Sequence, residues 1–139
     1  MRIRPFAEGD TESVVALWEA CGLVVPWNDP RRDIQRKLTE QPELFVVGEV
    51  DDRIVATVMG GYDGHRGWLN YLAVDPAERR SGLGRALVEH LAAALTARGC
   101  PKISLQMRAG NEAAVAFYRQ LGFTVDDVVS MGRRLIADD

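Results

Sequence analysis

The sequence has few of the residues that hold metal ions or form disulfide frameworks. Among its 139 residues are two cysteines, Cys21 and Cys100, and two histidines, His65 and His90. Two cysteines are too few for a disulfide framework, and nothing indicates an oxidising compartment. The histidines and cysteines are also scattered, whereas metal ligands occur in clusters with characteristic spacing. We therefore predict a protein that binds no metal and has no disulfide framework.

Long apolar runs and an excess of positive charge are missing as well. No apolar run approaches the roughly 20 residues of a transmembrane helix. The first ten residues, MRIRPFAEGD, lack the apolar segment of a signal peptide. The formal net charge is −3, whereas nucleic-acid-binding proteins usually present a basic face. We expect a cytoplasmic protein that binds neither membranes nor nucleic acids.

What is present is typical of a globular protein. Hydrophobic residues make up 47% of the chain and charged residues 27%, which are ordinary values. A chain of this length is expected to bury about two-thirds of the surface of its unfolded state. We find no internal repeat, low-complexity segment or linker. The sequence therefore predicts a single domain over residues 1–139.

The spacing of apolar residues predicts a mixture of strands and helices. Strands are predicted at residues 2–6, 44–50, 54–59, 68–74 and 102–108, with one or two short strands in 123–136. Helices are predicted at residues 10–21, 30–41, 82–98 and 111–121. The helix 82–98 connects two strands by a crossover, which implies that those strands are parallel. The predicted fold is α/β, with a mixed sheet of about six to seven strands and helices on both faces.

Polar and glycine residues predict where several elements begin and end. Asp10 is predicted to be the N-cap of the first helix. Asp29 followed by Pro30 predicts the start of the second helix. Residues 51–52, Asp-Asp, predict a tight turn, and the glycine-rich residues 60–67 predict a hairpin connection or a flexible rim.

Residues 79–85, Arg-Arg-Ser-Gly-Leu-Gly-Arg, lie between a buried strand and a helix. The first N–H groups of a helix lack partners within it, and the helix dipole makes that end partly positive. Gly82 and Gly84 allow a ligand to approach the backbone closely, and Arg79, Arg80 and Arg85 add positive charge. This composition predicts a pyrophosphate site. The alternative is a helix start that is rich in glycine and arginine by chance.

Two common phosphate motifs are excluded at this turn. A P-loop requires a lysine directly after its last glycine, and Arg85 stands there. The dinucleotide fingerprint requires a third glycine, and Leu87 occupies that position. Any anion bound here is therefore held by a different motif.

Two separated motifs together resemble those of the GNAT superfamily of N-acetyltransferases. The family's [QR]-x-x-G-x-[GA] motif is similar to residues 79–84, and its N-x-x-[AS]-x-x-x-Y-x-x-x-G-F segment is similar to residues 111–123. Their separation and the order of elements match as well, so the resemblance covers nearly the whole chain. The segments PWNDP and MGGYDGHRG also resemble the YpeA group of bacterial acetyltransferases.

The resemblance implies that acetyl-CoA is the acyl donor. It implies that backbone amides around the turn hold the CoA pyrophosphate, and that a bulged strand and an asparagine contact the pantetheine arm. Carried over to this chain, the donor-binding residues are Leu72, Ala73, Val74, Arg79, Arg80, Ser81, Gly82, Leu83, Gly84, Arg85 and Asn111. It further implies that Tyr118 protonates the departing CoA thiolate. The alternative for Tyr118 is a core aromatic on an amphipathic helix.

The acceptor is implied to be an amine, and its site is predicted around the Trp27 loop, the second helix and the glycine-rich rim. The candidate substrate-binding residues are Trp27, Asn28, Tyr62, Asp63 and Tyr71. Arg31 and Arg32 would suit an acceptor that also bears a carboxylate, or they form a solvated helix face. GNAT proteins often form dimers, so a homodimer is also expected.

The general base remains open, since Glu49, Asp63, His65 and Tyr71 acting through water are all candidates. The ribosomal-protein alanine acetyltransferases carry a glutamate before the second motif, where this chain has Gln106, and an amide cannot take a proton. The predicted function is N-acetyl transfer to a small molecule, peptide or protein. The alternatives are a non-catalytic acyl-CoA-binding module and an acetyltransferase acting on a macromolecule such as aminoacylated RNA.

Overall fold

The computed structural model describes residues 1–138, which form two compact units. The first unit consists of residues 1–105 together with Asp138, and the second consists of residues 106–137. The single-domain prediction stays a prediction.

The first unit contains one five-stranded sheet and three α-helices. The strands are β1 (Arg2–Pro5), β2 (Phe45–Val50), β3 (Arg53–Tyr62), β4 (Gly67–Val74) and β5 (Ile103–Leu105). The helices are α1 (Thr11–Ala20), α2 (Pro30–Lys37) and α3 (Leu83–Ala97), and the second unit contains α4 (Glu112–Gln120). The strand order follows the sequence, with antiparallel pairs up to β4 and a parallel β4–β5 pair. The mixed sheet and the parallel crossover are confirmed.

The predicted strand count of six to seven was wrong, because the described residues contain five strands. The missing strands are those expected in residues 123–136, where the structure has no regular element among the described residues. Apolar residues there come in adjacent pairs, such as Val128–Val129 and Leu135–Ile136, and this spacing breaks the two-residue period of a strand. β5 is also short: it ends at Leu105 instead of residue 108.

Helices pack on both faces of the sheet in the first unit. On one face, the indole Nε1 of Trp18 in α1 donates a hydrogen bond to Thr57 Oγ1 in β3 at 2.9 Å. On the other face, Leu91 of α3 packs so closely on Gly60 that a Cβ at Gly60 would lie 2.2 Å from its Cδ1. Gly60 and Thr57 are an odd number of residues apart in β3, so they point to opposite faces. The prediction of helices on both faces is confirmed.

Half of the glycine-rich stretch 60–67 is strand, so the predicted hairpin connection is present but shorter than predicted. Gly60 and Gly61 lie in β3, Gly67 begins β4, and only residues 63–66 connect them. Gly67 is required for packing, since a Cβ there would lie 2.8 Å from Cys100 Sγ and 2.9 Å from Leu95 Cδ1. The glycines therefore let α3 approach the sheet.

One predicted side-chain cap and one predicted helix end differ in the structure. Asp10 does not cap α1 with its side chain, because its carboxylate accepts the N–H of Ala7 at 2.8 Å and pairs with Arg4. α2 ends at Lys37, four residues early, and Gln41, which lies beyond it, has a φ of +55°. The Asp29 cap of α2 is confirmed: its carboxylate accepts the N–H of Arg31 at 2.9 Å.

Candidate functional site

β4 carries a bulge at its centre. Thr57 of β3 pairs with Ala73, and Met59 pairs with Asn70, so two β4 residues lie opposite one β3 residue. Tyr71 is at the bulge and has a φ of +50°, a backbone conformation that residues other than glycine rarely adopt. Such an outlier persists only where its surroundings hold it in place.

A buried hydrogen-bond chain holds the bulge. The hydroxyl of Thr57, which is fully buried, donates to the main-chain carbonyl of Tyr71 at 2.8 Å. The same hydroxyl oxygen accepts the Nε1–H of Trp18, whose ring stacks on the Tyr71 ring with centroids 3.8 Å apart. Sequence analysis missed Trp18 and Thr57, because only the pairing register brings them to Tyr71.

Replacing Thr57 with valine is expected to destabilise the protein by about 1–3 kcal/mol, because the change leaves the Trp18 N–H and the Tyr71 carbonyl buried without this partner. Urea denaturation followed by circular dichroism measures the free energy of unfolding. Thr96→Val is the matched control, since the Thr96 hydroxyl bonds to Ala92 on an exposed helix surface. The control is expected to change stability by less than about 0.5 kcal/mol. Equal losses in the two variants would contradict a special role for the Thr57 hydroxyl.

Beyond the bulge, β4 offers main-chain groups on its second edge. The β4–β5 ladder runs from Gly67–Ile103 to Leu69–Leu105. The N–H of Asp75 donates to the Val55 carbonyl at 2.7 Å, which sets the alternation along β4. By that alternation, the main-chain groups of Val74 point away from β3. This edge suits an extended, amide-containing ligand that lies along the strand.

The turn after β4 has a backbone suited to an anion. A 3-10 turn over Pro76–Glu78 leads to Arg80, with a φ of +70°, and to Gly82, with a φ of +82°, directly before α3. Where residues in the left-handed conformation alternate with residues in the right-handed one, successive main-chain N–H groups point into one concavity that can bind an anion. Here the N-terminus of α3 adds the partial positive charge of the helix dipole. A Cβ built on Gly82 would meet no atom within 4 Å, so ligands can reach this backbone.

The polar side chains of the turn are exposed, and two of them brace it. Arg79 Nε donates to the Val74 carbonyl at 3.4 Å, and the Ser81 hydroxyl donates to the Glu78 carbonyl. Arg80 and Arg85 are solvent-exposed at the turn and in the first turn of α3. The assignment of these residues to the donor stays a prediction, which the backbone geometry supports.

Three residues meet where the beginning of α2 faces the bulge. The hydroxyl of Tyr71 donates to Asp33 Oδ2 at 2.7 Å, and Asn28 Nδ2 donates to the Tyr71 oxygen at 3.1 Å. Asn28 also donates to Asp33. Burial, with help from the Asp33 carboxylate, raises the pKa of Tyr71 well above its usual value. The phenol therefore stays protonated, and this argues against Tyr71 as the general base.

Asp33 is a site residue that sequence analysis missed. It lies four residues after Asp29, one helical turn into α2, so both carboxylates occupy neighbouring positions on the helix. An acidic residue one turn inside a helix that begins with Asp-Pro is a signal that could have found it. The contact with Tyr71, by contrast, depends on the long-range packing of α2 against β4.

Of the other candidate substrate residues, Trp27 directly precedes Asn28 in the chain, whereas Tyr62 and Asp63 lie apart from this group. Trp27, in the loop before α2, is 61% exposed. Tyr62 pairs with Gly67 at the far end of β4, four residues from Tyr71, which is about 13 Å along a strand. The Asp63 carboxylate accepts the N–H groups of His65 and Arg66 at 2.8 and 2.7 Å, which closes the β3–β4 turn. The assignment of Tyr62 and Asp63 to substrate binding stays a prediction. The hydrogen bonds of Asp63 show that its carboxylate stabilises the turn.

Asn111 and Tyr118 lie in the second unit. The Asn111 side chain accepts the N–H of Ala114 at 3.1 Å, which confirms it as the N-cap of α4. Tyr118 packs edge-to-face against Phe117 and Phe123, with ring centroids 5.0 and 5.4 Å away. Burial raises the pKa of Tyr118 to about 12, so this phenol is protonated at neutral pH. Their roles toward the donor stay predictions.

The remaining candidate bases have other surroundings. Glu49 is paired with Arg4 at the β1–β2 edge, and His65 is exposed in the β3–β4 turn. In the second unit, Gln106 donates to the Ser130 hydroxyl.

Within residues 1–138, no group of three or more histidine, cysteine, aspartate or glutamate side chains is arranged to hold a metal ion. Over the same residues, no helix has both the length and the apolar character to cross a bilayer.

Comparison with known proteins identifies the family of this chain. The Acetyltransferase (GNAT) family model matches residues 11–123. An acetyltransferase of Pectobacterium atrosepticum is 50% identical over 138 residues, covering 99% of this chain and 98% of that protein. One of Yersinia enterocolitica is 49% identical with the same coverage. The crystal structure of Ard1 from Thermoplasma volcanium has a TM-score of 0.78 at 27% identity, covering 90% of this chain and 83% of that chain.

The chain therefore belongs to the GNAT family and is an acetyltransferase. An acetyl-CoA donor and an amine acceptor are general to this family. Membership in the YpeA group stays a prediction.

Proposed function

We propose that this acetyltransferase transfers the acetyl group of acetyl-CoA to a primary amine of a small molecule, peptide or protein, with both substrates bound at once. The observation that carries the proposal is the continuous path along β4. A bulge at Tyr71 is followed by an edge of main-chain groups and then by a turn suited to a pyrophosphate. A CoA thioester has these parts in the same order: a carbonyl, an amide-bearing arm and a pyrophosphate.

The reaction needs no covalent enzyme intermediate. The neutral amine nitrogen attacks the thioester carbonyl carbon, a C–N bond forms, and the C–S bond breaks as the thiolate leaves. Main-chain N–H groups near the bulge stabilise the oxyanion of the tetrahedral intermediate. Tyr118 supplies a proton or a hydrogen bond to the leaving sulfur, and the proton lost by the amine goes to solvent through a base that is still open.

Asn28, Asp33 and Tyr71, which we call the acceptor cluster, give the amine its site. The Asp33 carboxylate offers negative charge to an ammonium group, and the Tyr71 oxygen and Asn28 fix its surroundings. The cluster lies at the bulge because Tyr71 belongs to both, so an amine held there is close to the place where the carbonyl would lie.

Initial-rate kinetics test the proposal. Acetyl-CoA binding is measured by calorimetry, and CoA release is followed with a thiol reagent over a panel of primary amines. Intersecting lines in double-reciprocal plots are expected, because both substrates bind before reaction, whereas parallel lines would indicate a covalent intermediate. Binding of acetyl-CoA without CoA release from any amine, peptide or protein would favour a non-catalytic acyl-CoA-binding module. An absence of acetyl-CoA binding would overturn the proposal.

A further inference from the structure

The side chain of Asp138 is seated on the beginning of α2, far from it in sequence. Its carboxylate is fully buried, and one of its oxygens accepts the N–H of Asp29 at 2.8 Å. The two terminal nitrogens of Arg36 donate to its two oxygens at 2.5 and 3.3 Å. Arg32 Nη1 lies 3.8 Å from the same carboxylate. We call Arg32, Arg36 and the N–H of Asp29 the carboxylate clamp.

The clamp has the features of a receptor for a carboxylate. The Arg36 guanidinium contacts both oxygens, a paired geometry that arginine forms with carboxylates in general. The helix N-terminus adds a main-chain donor and partial positive charge. Arg32 and Arg36 are 46% and 44% exposed, so they are reachable from solvent although the carboxylate they bind is buried.

The clamp adjoins the acceptor cluster. Arg36 also contacts the Asp33 carboxylate at 3.1 Å, and Asp33 accepts the Tyr71 hydroxyl. The charge of Asp138 contributes to the raised pKa of Tyr71, which places the two groups within electrostatic reach. One acceptor molecule could therefore bind with its carboxylate at the positively charged clamp and its ammonium group at the neighbouring, negatively charged Asp33.

We propose that the carboxylate clamp is a subsite for acceptors that carry a carboxylate as well as an amine, and that Asp138 occupies it until such an acceptor displaces it. This inference rests on the proposed function, since it defines the substrate class of that site. The class comprises amino acids, peptides with a free carboxyl end and related amino carboxylates. The neutral counterparts, in which an amide replaces the carboxylate, lack the charge that the two arginines recognise.

The first test uses the carboxylate group alone. Sodium acetate and acetamide are titrated into the full-length wild type and into Asp138→Ala, at constant ionic strength, while the NMR signals of the Asp29 amide and Arg36 Nε–H are followed. We expect acetate to bind Asp138→Ala at least 10-fold more tightly than wild type, and acetamide to shift neither signal. Adding Arg36→Gln to Asp138→Ala is expected to abolish the response. The control Asp127→Ala, an exposed aspartate of the second unit, is expected to behave as wild type.

Two results would overturn the subsite. One is equal acetate affinity in Asp138→Ala and wild type. The other is an equal response to acetate and acetamide. Either result would mean that Asp138 has only a structural role, in which it holds its segment of the chain against α2. If Asp138→Ala does not fold, Asp138→Asn serves instead, because it keeps an acceptor for the Asp29 N–H while removing the charge, and the same outcomes apply.

The second test connects the subsite to catalysis. ω-Amino acids of three to six carbons, each paired with its primary amide, are supplied as acceptors. In Asp138→Ala, the KM of the best acid is expected to fall at least 10-fold, while the KM of its amide is unchanged. Selective acetate binding without acetyl transfer to any amine would refute the proposed function and leave the subsite standing. Transfer that is equal for acids and amides, with no acetate binding, would refute the subsite alone.

Discussion

Gly82→Val is expected to weaken acetyl-CoA binding by about 10- to 100-fold while the chain still folds. Gly82 has a φ of +82° directly before α3, and a β-branched residue there costs roughly 1–2 kcal/mol or forces the turn to rearrange. A rearranged turn no longer aims its N–H groups at one point. Each hydrogen bond to a charged group contributes about 1.5–3 kcal/mol, so losing one produces that range. Calorimetry with acetyl-CoA measures the effect.

Gly99→Val is the matched control for Gly82→Val. Gly99 also has a φ of +82° and no atom within 4 Å of an added Cβ, but it lies after the end of α3. The two variants are therefore expected to lose similar stability in thermal melts, while only Gly82→Val loses affinity. Unchanged acetyl-CoA binding in Gly82→Val, with the stability loss observed, would mean that the pyrophosphate lies elsewhere.

Local patterns predicted the fold well where each element is defined by neighbouring residues. The Asp29–Pro30 helix start, the tight turn at residues 51–52 and the crossover helix α3 all have short-range causes, and all three are confirmed. Asp51 and Asp52 have φ values of +51° and +61°, which a two-residue hairpin turn requires. The prediction was wrong at Gly60, which lies in β3 and not in a connection. Glycine is needed there because Leu91, which is distant in sequence, packs against it.

The candidate site divides in the same way. The donor turn was visible in sequence because its glycines and arginines are consecutive. The acceptor cluster was only half visible: Asn28 and Tyr71 were predicted, but Asp33 was not. The residues that hold the bulge, Trp18 and Thr57, carry no local signal, since a buried threonine in a strand usually indicates packing alone. The contacts of Asp138 could not be predicted from the sequence, because no local pattern links position 138 to residues 29 and 36.

Removing the hydroxyl in Tyr118→Phe is expected to lower kcat by about 100-fold, with the KM for acetyl-CoA changed less than about threefold. General acids and preformed hydrogen-bond donors typically contribute factors of this size. Because the interaction forms only as charge develops on sulfur, its loss should reduce kcat and not donor binding. Single-turnover measurements isolate the chemical step. Phe123→Leu, which alters the packing around Tyr118 and keeps its hydroxyl, is expected to retain kcat within about threefold.

The raised pKa refines what Tyr118 can do for the leaving group. With a phenol of pKa about 12 and a thiol near 8.5, complete proton transfer to a free thiolate would be uphill by roughly 5 kcal/mol. For an ordinary phenol, with a pKa near 10, the same transfer would be uphill by only about 2 kcal/mol. In the proposed mechanism, this difference favours Tyr118 as a hydrogen-bond donor to the partly charged sulfur in the transition state, with its proton moving only while the C–S bond is still breaking.

A pH profile separates this role from that of an ordinary titrating acid. Since the folded-state pKa of Tyr118 is raised, the donating, protonated form is present at every pH below about 11 and is lost only as the pH passes 12. The ratio of wild-type kcat to that of Tyr118→Phe should therefore stay constant between pH 6 and 10. A ratio that collapses near pH 9 would show that the phenol ionises at ordinary pH, and it would contradict the buried environment formed by Phe117 and Phe123.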